Sequence, residues 1–353
     1  MRFFLFLSSF LLCTLPSKAM EREADPAPST LLKRGQMYAD GEGVEQDFSK
    51  ALECWTLAAD QGLAEAQFNL GLMYFAGTGV EHNAEKALQY FGFAADQGHA
   101  HAHYKVGFIH KNSENLNLQQ TLVHWGRAAD QNLVEAQLGL GVMYYNGEGT
   151  PQNLEEALKY FNLAAKQRDK DAQFNLGVMH YKGYGVEQNI RKSLVYFKCA
   201  AAQNHLQAQS KLGQIYYAGT DVKGDIAVSF KYFKEAADQG HGESQYTLGR
   251  MYYNGEAGVK DIVESSRYFT LAADQNNIAG QNKVGIMYYN GEGVEQNDRE
   301  AFRYFKDAAD QGHGEAQCTV GLMYRNGDGV EQNDREAVSY LRLAQATAAA
   351  RPS

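Results

Sequence analysis

The apolar positions of residues 64–99 fall into two groups with helical spacing. Ala64, Ala66, Leu70, Gly71 and Tyr74 share one face of a first helix of three to four turns. Ala87, Tyr90, Phe91, Ala94 and Ala95 share one face of a second. Between them Gly77-Thr78-Gly79-Val80 breaks the helix, because glycine accepts the positive φ that a tight reversal needs. Gly98 ends the second helix, and small Ala and Gly on the first face let a partner helix approach closely. Nothing in this region alternates with the period of a strand.

The pattern recurs along the chain. Gly35, Gly71, Gly107, Gly141, Gly177, Gly213, Gly249, Gly285 and Gly321 are 36 residues apart at every step except 107 to 141, which is 34. A period of this size predicts units that each cover the apolar face of the next. The expected architecture is an all-α, right-handed superhelical solenoid of nine helix-turn-helix repeats over residues 31–347, with residues 348–353 as a C-terminal tail. Local punctuation agrees. Second helices open on Asn153, Asn297 and Asn333, each followed three residues later by Glu, in the manner of a capping box. They close on Gly62, Gly98, Asn132, Asn204, Gly240, Asn276 and Gly312, the residue types that most easily turn left-handed; Arg168 departs from this. Pro151, the only proline between residues 31 and 350, falls in an inter-helix loop.

The run from Ala64 to Val80 reads Ala-x-Ala-x-x-x-Leu-Gly-x-x-Tyr-x-x-Gly-x-Gly-Val, followed by Lys-Ala and Ala-Ala. It resembles the Sel-one-like repeat (SLR), a relative of the tetratricopeptide repeat. Repeat three departs most: Lys111-Asn112-Ser113-Glu114-Asn115 replaces the Gly-x-Gly loop, and His110 replaces the tyrosine. Repeat six carries Gly219-Thr220-Asp221-Val222, and repeat seven inserts Ala257 between its glycines, so reshaped hairpin tips are expected there. The resemblance implies adaptors for protein complexes and, for exported bacterial members, roles in contacting and entering host cells and in intracellular trafficking. Cysteine-rich relatives associated with β-lactam hydrolysis or penicillin binding imply an alternative, a cell-envelope enzyme. This chain lacks their paired cysteines; an envelope regulatory binding protein is a further alternative.

The first nineteen residues form a separate object. Met1-Arg2 is a positive start, Phe3 to Leu12 is nearly continuously apolar, and Ser17-Lys18-Ala19 is a small-x-small cleavage site. That is the anatomy of a secretory signal peptide, too short to span a bilayer. Leu12 before Cys13 is bulky where a lipoprotein signal wants a small residue. Residues 20–30 read as a short tether. The chain is therefore expected to be exported, periplasmic or secreted, without stable membrane insertion. Cys54, Cys199 and Cys318 remain, an odd number at wide spacings, and read as buried small hydrophobes rather than a disulfide framework. A net charge of −9 repels phosphate backbones and argues against nucleic acid as a partner.

Candidate chemistry is sparse. Triplets such as Gly147-Glu148-Gly149 lack the preceding strand and third glycine of a dinucleotide site and read as hairpin loops. His99-Ala100-His101-Ala102-His103, with His110 beyond, could present His99 and His103 one turn apart to a divalent ion if the helix included both. His241 and His313 occupy the place of His99 in other repeats without such partners, so no metal or cofactor is assigned. Hydrolase motifs are absent from the sequence and no catalytic residue is assigned. Glu45, Glu81, Glu187, Glu295 and Glu331 recur with the period, which suggests a solvated acidic edge open to a basic partner or weak Ca²⁺ binding.

Aromatic residues carry more information. The tyrosine three positions after the repeat glycine, as at Tyr74 and Tyr144, continues the core stripe. The next position adds a second ladder: Phe75, Tyr145, Tyr181, Tyr217, Tyr253 and Tyr289. It is rotated about 100° from the first, towards the edge of the packed face. Inter-repeat packing explains it, but the position becomes Ala39, Lys111 and Arg325 elsewhere, and Lys is a poor packing residue. Tyrosine, apolar in body and polar at its tip, is also what binding surfaces favour. The expected function is that of a non-catalytic scaffold whose concave face takes protein or peptide partners along this ladder.

Overall fold

The computed structural model describes residues 26–113, 116–258 and 260–349. The segments expected to be a signal peptide and tether, apart from residues 26–30, lie outside them, as do Glu114-Asn115 of the irregular third loop, Val259 and the end of the C-terminal tail. Among the described residues there are eighteen α-helices, one 3₁₀ turn at Glu256–Gly258, and no strand. The chain divides into two compact units after His124. The first contains α1 (Pro28–Asp40), α2 (Phe48–Asp60), α3 (Ala64–Ala76), α4 (Ala84–Asp96), α5 (Ala100–Asn112) and the start of α6 (Leu118–Asp130). The second contains the rest of α6 and six hairpins. These are α7 (Val134–Asn146) with α8 (Leu154–Lys166), α9 (Lys170–Lys182) with α10 (Ile190–Ala201), and α11 (Leu206–Ala218) with α12 (Ile226–Asp238). They continue as α13 (Gly242–Asn254) with α14 (Ile262–Asp274), α15 (Ile278–Asn290) with α16 (Asp298–Asp310), and α17 (Gly314–Asn326) with α18 (Asp334–Ala349).

All nine repeat glycines are buried at the middle of first helices. At seven of them the missing side chain makes room for a ring. A Cβ on Gly71 would stand 2.5 Å from Phe91 of α4, and on Gly141, Gly177, Gly213, Gly249 or Gly285 it would stand 2.5–2.8 Å from the phenylalanine of the paired second helix. Trp55 takes this place under Gly35 and Leu341 under Gly321. Fully buried alanines such as Ala66, Ala87 and Ala94 extend the same close approach.

Hairpin reversal follows a fixed recipe. Gly77 ends α3 at φ 71°, and its N–H reaches Met73 O at 2.8 Å. Asn83 then caps α4, its side chain accepting the Lys86 N–H at 2.9 Å. The capping box expected at Asn153 and Asn297 forms only by half. Asn153 Oδ1 accepts the Glu155 and Glu156 N–H groups, but Glu156 turns outward to Lys159, and Glu300 likewise to Arg303. The cap's own N–H has another acceptor: Asn153 donates to Tyr144 O at 2.9 Å and Asn297 to Tyr288 O at 2.9 Å, closing the hairpin. The same bond survives in the irregular repeats, from Asn117 to His110 O, Asp225 to Tyr216 O and Asp261 to Tyr252 O. The reshaping stays in the tip, where inserted Ala257 sits at φ 55°.

Neighbouring repeats are tied by a buried glutamine that the helical pattern did not single out. In the first unit Gln67 Nε2 donates to Ala59 O of the preceding hairpin, while its Oε1 accepts from Gln97 at 2.7 Å. Gln137, Gln209 and Gln245 repeat this bridge in the second unit. A buried amide left without partners is costly, so the pair fixes one register between repeats.

Arg168 is the one second-helix terminus that holds a left-handed φ, 67°, with neither Gly nor Asn. Relieving that conformation outweighs the added freedom of an unfolded glycine. Arg168→Gly should stabilise the chain by about 0.5–1 kcal/mol. A rise in thermal midpoint checks this; a fall would mean that the Arg168 side chain contributes more than its backbone costs.

Candidate functional site

The second ladder lies at the ends of first helices, and its rings lean on the core rings of their own repeats. Phe75 is 6.4 Å from Phe91, Tyr145 6.5 Å from Phe161, Tyr181 6.4 Å from Phe197 and Tyr217 6.3 Å from Phe233, centroid to centroid. These four are half-buried, whereas Tyr253 and Tyr289 are 40% and 42% exposed. The phenols reach to the following hairpin tip. Tyr181 donates to Asp221 at 2.6 Å, Tyr217 to Glu256 at 3.4 Å and Tyr253 to Glu292 at 2.9 Å. One residue type therefore packs by its body and ties successive repeats by its tip. The Asp221 hydrogen bond, with burial behind it, pushes the Tyr181 phenol up to about 12.

The first stripe is structural. Tyr74 stacks on Tyr90 at 5.7 Å, Tyr144 on Tyr160 at 5.8 Å and Tyr288 on Tyr304 at 5.9 Å, each pair joining the two helices of one hairpin. His180 takes the tyrosine's place in its repeat, stacked on Tyr196, and burial lowers its pKa.

The histidine cluster separates. His99 is the N-cap of α5, outside the helix: its Nδ1 accepts the Ala102 N–H, its ring stacks on Phe68 at 4.6 Å, and its Nε2 meets Glu65. His103 is buried, with its Nδ1 3.0 Å from Nδ1 of His124. The two side chains are thus committed to different neighbours. His205, His241 and His313 cap their helices in the same way as His99. Among the described residues no group of three or more His, Cys, Asp or Glu converges as a metal ion would require. Glu45, Glu81, Glu187, Glu295 and Glu331 are all exposed.

Two cysteines correct the expectation of burial. Cys54 is buried, but Cys199 and Cys318 are exposed. Cys199 lies on the outer side of α10, at a place taken by exposed Phe93 in α4 and by Leu271 in α14. Cys318 occupies the place of Phe68 and Phe174, which are covered by the capping histidine of the next repeat.

Cations interleave with the ladder. Lys211 Nζ stands 4.5 Å over the Tyr181 ring, and in the first unit Lys105 stands 5.7 Å over Phe75. Within each unit, first helices present apolar faces with ammonium groups beside them, joined in the second unit by phenols.

The Sel1 repeat profile matches eight segments of the chain: residues 28–63, 64–99, 134–169, 170–205, 206–241, 242–277, 278–313 and 314–344. The chain belongs to the Sel1 repeat family. The profile passes over the third hairpin, whose loop and tyrosine depart from the pattern, although α5 and α6 are in place. Among solved structures, the Sel1 fold is shared with c5321, a protective antigen present in uropathogenic Escherichia coli strains. That protein is 29% identical, with a TM-score of 0.76, over 90% of this chain and 68% of the other. A Sel1 repeat protein from Oxalobacter formigenes is 27% identical, with a TM-score of 0.70, over 84% and 87%. No curated protein sequence matches the chain.

The raised phenol of Tyr181 gives a signed pH dependence. The folded chain holds this proton more tightly than the unfolded chain, so the contribution is complete below pH 10 and is lost as pH rises through about 12. Stability between those limits should therefore fall less steeply in Tyr181→Phe than in the parent. Thermal midpoints across alkaline pH, beside phenolate absorbance, check this; identical slopes would remove Tyr181 as the origin.

Proposed function

We propose that this Sel1 repeat protein is an exported, non-catalytic scaffold. It holds a protein or peptide partner on the first-helix wall of its repeats, in the service of contacting or entering host cells or of trafficking within them. The observation that carries the reading is the second aromatic ladder. Tyr145, Tyr181 and Tyr217 rest on core rings, Tyr181, Tyr217 and Tyr253 donate to carboxylates of the next tip, and Tyr253 and Tyr289 offer ring surface to solvent. Side chains already ordered in this way lose little entropy on binding, which is what a preformed docking wall requires. The family's scaffold fold supports the partner class. The protective antigen of uropathogenic E. coli, which shares the fold, supports a role at the host boundary. The apolar run and cleavage site in residues 1–19 support export.

The test compares the parent with a Tyr253→Ser, Tyr289→Ser variant in affinity capture from bacterial envelope and host-cell lysates, with folding checked by circular dichroism. A host protein held by the parent and lost by the equally folded variant is expected. Equal capture would move the binding surface off the ladder, and turnover of a chromogenic β-lactam by the purified chain would contradict a non-catalytic scaffold.

A further inference from the structure

Charge on the second unit is sorted by helix. Its Lys or Arg ion pairs among the described residues lie on second helices: Lys159–Glu156 on α8, Lys234–Asp238 on α12, Arg267–Glu264 on α14, and others of the same kind. Lys182, Lys211, Arg250 and Lys283, the cations of α9, α11, α13 and α15 beyond their first turns, take part in none of them. Lys211 instead lies over the Tyr181 ring, where burial and neighbouring Lys182 lower its pKa against the pull of Asp221. Arg250 and Lys283 are exposed. The acids along the same wall are engaged by neutral donors. Tyr181 donates to Asp221, and Tyr253 and Asn290 donate to Glu292. The wall therefore holds acids engaged by neutral donors and cations outside the ion pairs of the described residues, Arg250 meeting the Tyr217 phenol, in a chain whose net charge is −9.

We propose that the first-helix wall of α11, α13 and α15 receives an acidic peptide segment. Its carboxylates pair with Lys211, Arg250 and Lys283, and its remaining surface lies on Tyr253 and Tyr289. The inference rests on the scaffold reading and narrows it to one partner chemistry. Spacing favours an extended peptide. Side chains of successive first helices touch, as Lys211 over the Tyr181 ring shows, which puts those helices roughly 10 Å apart, and an extended chain advances about 3.3 Å per residue. One carboxylate at about every third residue then meets one cation per repeat. A continuous phosphate backbone would run against Asp221 and Glu292 between the cations.

The test uses fluorescence anisotropy of the full chain with labelled peptides of about twelve residues, built as Glu-Ser-Gly, Gln-Ser-Gly and Lys-Ser-Gly repeats to fit that spacing. An oligo-uridylate of similar length serves as the nucleic-acid probe. The Glu peptide is expected to bind at least about tenfold more tightly than the Gln peptide, and more weakly as salt rises. Lys211→Gln, Arg250→Gln and Lys283→Gln together should remove that preference. Lys231→Gln with Lys234→Gln, on the outer side of α12, should leave it unchanged. Equal binding of Glu and Gln peptides, or of both triple variant and parent to the Glu peptide, would overturn the acidic partner while leaving a peptide-binding wall. Tighter binding of oligo-uridylate would overturn it in favour of nucleic acid. If no probe binds, the acidic partner falls, and the scaffold reading stands or falls separately with tyrosine-dependent capture.

Discussion

A glycine in the middle of a helix facing a ring on the partner helix is the contact on which seven of the repeats depend. Glycine there costs about 1 kcal/mol of helix propensity relative to alanine. Forcing a methyl group against the face of a well-packed ring costs about 1–3 kcal/mol, so the crowding term outweighs the propensity term. The chain accepts the smaller cost at Gly35, Gly71, Gly141, Gly177, Gly213, Gly249 and Gly285. Once the two helices of a hairpin are this close, Ala66, Ala87 and Ala94 are the side chains that fit between them. The tight reversal at Gly77 and the Asn83 cap follow from the short path left to the chain.

What the hairpin does not use internally becomes either inter-repeat adhesion or surface. Gln67 and its counterparts join repeats through paired amides buried in the stack. The ladder tyrosines do both jobs, because a ring can rest on Phe197 while its hydroxyl reaches Asp221. A wall assembled in this way is rigid before any partner arrives. Because each unit contacts mainly its neighbours, substitutions in one repeat are felt most there and in the next.

The fold was legible because its determinants are local and periodic. Glycine spacing, the Gly or Asn stop at Asn132, Asn204 and Gly240, and the tyrosine stripe all act within one hairpin, where sequence distance and spatial distance agree. Departures arise where a contact reaches beyond a single helix. The capping box at Asn153 is half-formed because the cap N–H is claimed by Tyr144, nine residues back across the hairpin. Cys318 is exposed at a position where Phe68 and Phe174 are covered by a histidine of the next repeat, so its burial could not be read from its own hairpin. Gln67 was missed because polar residues at the edge of an apolar face look like surface until the neighbouring carbonyl is in place, although its recurrence at Gln137, Gln173 and Gln209 was there to read. The ladder was visible as a recurrence, but the contrast between half-buried Tyr181 and exposed Tyr253 depends on packing around each rung.

The central claim is most directly tested by a double-mutant cycle on one repeat, Gly177→Ala with Phe197→Ala, followed by thermal unfolding of the parent, both single variants and the double. Phe197→Ala alone should cost about 3–5 kcal/mol and Gly177→Ala alone about 1–3 kcal/mol. If the glycine exists to admit the ring, its replacement costs nothing further once the ring is gone, and the double variant is at least as stable as Phe197→Ala. Additive losses would show that Gly177 is required for some reason other than Phe197, and would contradict the account.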